Sequence, residues 1–226
     1  MVTVFVIHSF GVKTSEWNLS GSGPAMRALP TTVTSVRSLS RKAGALCGIG
    51  APVSFVTAWF VGGLRADAYD PLTDAISQLA RVGAPTRPLM TAGFLGFAAL
   101  APFWAPVLAK ALDEPALRAS VAAAAVGTLG VAALPLGSSF GDAPHALAAG
   151  VSYLGMASSP LLGGRALDRS GHRTAALASY AVGGVSAASL LASLAGRYDG
   201  GFQRLGLTVV DAWFVVLAVR ELRRPT

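Results

Sequence analysis

The chain has 226 residues, 53% of them hydrophobic and only 13% charged, where an ordinary soluble domain carries about 25% charged residues. A mean hydropathy of +0.56 points to the bilayer as solvent. The net charge of +7 sits in short clusters between apolar runs. No extended basic face or aromatic-interleaved groove of the kind that holds nucleic acid is present.

Residues 1–12, MVTVFVIHSFGV, are apolar but short. They lack a basic leading segment, and no small-residue cleavage site follows, which argues against a secretory signal peptide. Residues 1–42 run through Gly, Ser, Thr and Pro without a clear period and read as a disordered cytoplasmic tail, with Met26 as an alternative initiator. The single cysteine, Cys47, lies in an apolar run. It excludes an internal disulfide and a cysteine-based zinc cluster, and reads as a small packing residue.

Residues 43–222 form the predicted transmembrane domain, followed by a cytoplasmic end at 223–226. A hydrocarbon core of about 30 Å needs roughly 20 apolar residues in helix. Ala43–Leu64, Leu89–Ala109, Ala119–Leu136, Ala146–Gly164 and Thr174–Gly196 meet that length with no internal charge. A sixth stretch, Leu205–Val219, contains Asp211 and reaches full length, 205–222, if the arginines that follow snorkel to the interface. The runs show none of the alternation of a membrane barrel. The predicted fold is therefore an all-α bundle of six transmembrane helices.

Orientation follows from the basic residues. With the N-terminus cytoplasmic, thirteen of the eighteen Lys and Arg fall inside. The five outside are Arg65, Arg81, Arg87, Arg197 and Arg204. The positive-inside rule thus puts both termini in the cytoplasm. Small residues such as Gly44 with Gly48, and Gly183-Gly184 with Ala187-Ala188, suit close helix contact. Pro52, Pro102, Pro106 and Pro160 fall within spans and predict kinks.

The first outer loop, AYDPLTDAISQLARVGAP (68–85), has a pattern of its own. Asp70 followed by Pro71 suits a helix start, and Gly83 with Pro85 suits a stop. Leu72, Ala75, Ile76, Leu79 and Ala80 recur at helical spacing, opposite Asp74, Ser77, Gln78 and Arg81. This predicts a short amphipathic helix lying flat at the outer interface. It is either a structural cover over the bundle or a lid whose polar face lines a pocket.

Asp142 precedes the fourth span and can cap it, with His145 in the first turn. His145 is either an interfacial histidine bonded to a loop carbonyl or a proton acceptor oriented by a carboxylate, a role suited to a side chain with a pKa of about 6.5. Asp211 lies about two turns into the sixth span, where an uncompensated carboxylate costs about 2.5–3.5 kcal/mol. Arg204, seven residues earlier, is placed to reach toward it.

Three segments carry a resemblance to the bacterial integral membrane proteins grouped as domain of unknown function 998. The first is Tyr69-Asp70-Pro71 with Ile76-Ser77-Gln78-Leu79 and Gly83-Ala84-Pro85; the second is Pro135, Asp142 and His145. The third is Gly201-Phe202-Gln203-Arg204 leading to Trp213. The resemblance covers about residues 43–222 and implies a six-helix protein of the bacterial plasma (inner) membrane. The sequence departs from the pattern at Gln78, where the family usually has an acidic residue, and at Leu134, where it usually has an aromatic.

Three functions compete. The first binds or organises a lipid or lipid-like small molecule at an outer polar pocket, with Tyr69, Asp70, Gln203, Arg204 and Asp211 as ligand-binding candidates. The second is a membrane-embedded hydrolase using Ser77, His145 and either Asp142 or Asp74, which requires nucleophile and base within about 2.6–3.2 Å. The third is a proton-coupled transporter using Asp211 and His145. No cofactor is implied. A catalytic zinc takes three protein ligands, and a bis-histidine haem would need a second histidine within a span.

Overall fold

The structure is a computed structural model and describes residues 32–225. Six α-helices follow one another: α1 (Thr32–Arg65), α2 (Arg87–Leu112), α3 (Ala116–Ala133), α4 (Ala143–Arg169), α5 (Arg173–Ala192) and α6 (Asp199–Arg223). A 3-10 turn, Ile76–Ala80, lies between α1 and α2. Each helix packs on the next, and α6 closes the bundle against α1. α1 begins at Thr32, so residues 32–42 of the expected tail are helical. The rest of that tail, with His8 and Met26, lies outside the described residues.

Among the described residues five helices are long and apolar enough to cross a membrane: Ser40–Arg65 of α1, and all of α2, α3, α4 and α5. α6 has 25 residues, but Arg204, Asp211, Arg220, Glu221 and Arg223 lower its hydropathy. Large apolar side chains point outward around the bundle, among them Leu154, 74% exposed, and Val216, 65% exposed. An apolar exterior of this kind suits lipid rather than water.

With lipid tails as apolar as leucine, helix association rests on close packing and polar contacts. A Cβ added at Gly155 of α4 would lie 2.3 Å from the Ala124 nitrogen of α3, and one at Gly127 would lie 2.3 Å from the Ser152 nitrogen. The two backbones therefore touch. Hydroxyls join them as well: Ser120 Oγ lies 2.7 Å from Ser159 Oγ and donates to Gly155 O at 2.9 Å. Thr128 Oγ1 lies 3.0 Å from Ser152 Oγ. Gly44 sits against the Phe103 carbonyl of α2. Of the pair Gly183 and Gly184, only Gly183 faces a neighbour, the Leu161 side chain.

The loop at residues 68–85 departs from the predicted flat helix. Asp70 and Asp74 close a tight turn: Asp70 Oδ1 accepts from Leu72 N at 2.8 Å, and Asp74 Oδ2 accepts from Asp70 N at 2.9 Å. A continuous helix would join Ile76 N to Leu72 O. Here α6 takes both groups. Gln203 Oε1 accepts from Ile76 N at 2.6 Å, and Gly201 N donates to Leu72 O at 2.9 Å. The helix is thus reduced to a turn followed by the 3-10 segment. Ile76, Ser77, Leu79 and Ala80 are buried, while Leu72, expected on the inward face, is 59% exposed. The loop is a plug inserted into the mouth of the bundle.

Candidate functional site

Arg204 is the pivot of the plug. Its guanidinium donates to Pro71 O at 2.6 Å, to Asp74 O at 3.1 Å and to the Tyr69 hydroxyl. It also lies over the Trp59 and Tyr69 rings, with its Cζ 5.4 and 5.2 Å from their centroids. The Tyr69 hydroxyl in turn donates to Ala75 O at 3.3 Å. Burial raises the Tyr69 pKa, and the neighbouring Arg204 partly opposes that rise. Desolvation disfavours the phenolate, and a nearby cation favours it. Gly200 permits this approach, because a Cβ there would lie 2.2 Å from Asp74 O.

Beneath the plug lies a cavity of about 40 Å³. Its apolar wall includes Phe55, Phe94, Phe97, Met156 and Leu207, and its polar groups are Ser77, Thr128, Ser152, Tyr153 and Gln203. No lining side chain is charged. Gln203 joins plug and cavity: its Oε1 holds Ile76 N, and its Nε2 donates to the Tyr153 hydroxyl. The loop after α3 is joined to the plug segment, where Val82 N donates to Leu136 O at 3.0 Å.

The predicted site residues thus divide into groups. Tyr69, Asp70, Asp74, Gln203 and Arg204 come together at the plug, and Ser77 reaches the cavity with Gln203. Asp142 does not orient His145. It stands at the start of α4, but its Oδ1 accepts from Gly137 N at 2.8 Å and it makes no side-chain cap. His145 Nδ1 donates to Leu134 O at 2.8 Å, while its Nε2 is buried without a partner among the described residues. No hydrogen bond joins Ser77 to His145 or His145 to Asp142, so the geometry lacks the nucleophile–base contact of a hydrolase.

Arg204 does not reach Asp211, because the plug carbonyls and two aromatic rings hold it at the start of α6. Asp211 is fully buried, and neither of its carboxylate oxygens has a partner among the described residues. Asp211 lies one turn beyond Leu207, and His145 one turn before Ala149; Leu207 and Ala149 both line the cavity. Residues four apart share a helix face, so the two unpartnered groups flank the cavity from opposite ends. Among the described residues no three His, Cys, Asp or Glu side chains gather as a metal-binding group.

Sequence reasoning missed the aromatic wall and the polar groups of α4, Ser152 and Tyr153. A signal was available, because positions 145, 149, 152 and 156 recur on one face of α4. What that face meets depends on α3 and α6.

No curated protein and no solved structure matches the chain. The family model described as "Protein of unknown function (DUF998)" matches residues 49–220, most of the described helices, and the chain belongs to that family.

Proposed function

We propose that this protein is a six-span protein of the bacterial plasma membrane, with both termini cytoplasmic, that takes the polar end of an uncharged amphipathic molecule into the cavity beneath the plug. α6 is read as a span because its 25 residues extend about 37 Å at 1.5 Å each, and because it packs between α1 and α5. The observation that carries the ligand reading is the lining: five hydrogen-bonding side chains and three phenylalanines without a single charge. Such a wall suits a hydroxyl or carbonyl group on a lipid-like body, since a charged group would enter without compensation. At about 10–15 Å³ per water by the same measure, the space holds about three waters, or one such group.

A photoreactive fatty alcohol tests the reading on the purified protein in lipid nanodiscs. Labelling of α2 and α4 is expected, and Ala149→Phe, which fills the cavity, lowers it about tenfold, the equivalent of about 1.4 kcal/mol. Labelling that Ala149→Phe leaves unchanged would sink the proposal.

A second reading, proton-coupled transport, is favoured by the unpartnered Nε2 of His145 and carboxylate of Asp211 at the two ends of this cavity. An intramembrane carboxylate marks a functional position by default. In proteoliposomes carrying a pH-sensitive dye, this reading expects a proton flux that Asp211→Asn abolishes.

A further inference from the structure

At the opposite end of the bundle a groove of about 1040 Å³ runs between the start of α1, the end of α2, the start of α3 and the end of α6. Four cationic side chains line it: Arg41, Lys110, Arg118 and Arg224. Glu221 is the one acidic side chain in the lining, and it is already bound to Arg224 at 2.9 Å. Arg41 is steadied by the Arg224 carbonyl at 3.1 Å. Lys110 and Arg118 have no carboxylate partner among the described residues. The groove therefore carries an unbalanced positive charge.

Its wall is apolar. Gly44 of α1 presses so closely on α2 that an added Cβ would lie 2.8 Å from Phe103 O. Beside this contact the Phe103 side chain is 64% exposed on the outer surface of the bundle. Charge at the helix ends and an exposed hydrocarbon wall along the helices together match a phosphate joined to acyl chains.

We propose that this groove binds an anionic phospholipid of the cytoplasmic leaflet, its phosphate among Lys110, Arg118 and Arg41 and one acyl chain along Phe103. Basic pockets between transmembrane helices on that side recognise such headgroups. The wall commits the site to a lipid rather than a free anion, because a free phosphate makes no use of Phe103. This inference is independent of the outer cavity and rests only on the orientation given above.

The test is native mass spectrometry of the full chain released from detergent with added phosphatidylglycerol or phosphatidylcholine. Phosphatidylglycerol adducts should exceed phosphatidylcholine adducts about tenfold, a difference of about 1.4 kcal/mol. The pair Lys110→Gln with Arg118→Gln should remove that excess. The pair Arg165→Gln with Arg173→Gln, an equal charge change outside the groove, should leave it. Should the groove variant fail to fold, the wild type still decides: raising the salt should reduce the excess by screening. Equal adducts of the two lipids, equal losses in both variants, or displacement by inorganic phosphate at lipid-equivalent concentration would overturn the proposal. So would lipid binding that arises only after residues 1–25 are deleted, since that segment would then be the occupant.

Discussion

Arg204 of α6 lies over the ring of Tyr69, 5.2 Å from its centroid, and donates a hydrogen bond to the same residue's hydroxyl. One side chain near the start of the last helix thereby fixes a loop 135 positions earlier in the chain. The plug is held by α6 more than by its own helical bonds.

Arg204→Ala should therefore loosen the plug. It leaves Pro71 O and Asp74 O without their charged donor and removes two cation–ring contacts. A hydrogen bond to a charged group contributes about 1.5–3 kcal/mol, so a loss of about 3 kcal/mol is expected. Thermal unfolding in detergent measures it, and trypsin should cut faster at the exposed Arg81 of the same loop. Wild-type cleavage rates would mean that the loop holds without Arg204.

Two glycines separate contact from mere helix propensity. Gly155→Ala places a Cβ against the α3 backbone, and such overpacking costs about 1–3 kcal/mol. At Gly184 nothing lies within 4 Å of an added Cβ. Gly184→Ala should therefore be neutral or stabilising, by at most about 1 kcal/mol from helix propensity. Equal unfolding temperatures for the two variants would contradict the α3–α4 contact.

Asp211→Asn keeps the shape of the side chain and breaks no hydrogen bond among the described residues. Stability should be unchanged or higher, since a partnerless carboxylate in a span costs about 2.5–3.5 kcal/mol when ionised. A drop of more than about 1 kcal/mol, on the scale of a lost hydrogen bond, would reveal a structural partner for this carboxylate.

Glu114, between α2 and α3, accepts from Arg169 at 2.9 Å, and that bond holds its carboxyl pKa below the ordinary value. A lowered folded-state pKa gives stability that is present above the unfolded pKa and lost as pH falls through the folded one. Glu114→Gln should flatten this part of the acid limb of the unfolding curve. Arg169 is half exposed, so the difference at neutral pH should stay below about 1 kcal/mol. An unchanged acid limb would show that the ion pair does not couple to folding.

The helices were legible because a membrane leaves few options: long apolar runs must become helices to satisfy their own backbone. Ala119–Leu136 and Thr174–Gly196 needed only end shifts to become α3 and α5. α1 begins well before Ala43, because Arg41 and Lys42 break an apolar pattern without breaking a helix. The candidate site was legible as residue types at one end of the bundle. Their partners were not, since Gln203 with Ile76, or Arg204 with Pro71, depends on how α6 meets a loop more than a hundred residues away.

By itself, then, the sequence determined five apolar membrane-length helices, a sixth long helix carrying Asp211, and a short patterned loop at residues 68–85, because hydropathy and local propensity act over neighbouring residues. Only the tertiary structure decided what that loop became. Ile76 N and Leu72 O would have bonded within a helix, yet the Gln203 side chain and the Gly201 amide claim them instead. The backbone bonds given up locally are replaced across the fold, and Ser77 is carried inward to an uncharged cavity. Competition between a local and a distant partner for the same backbone group is settled by packing, which no local pattern encodes.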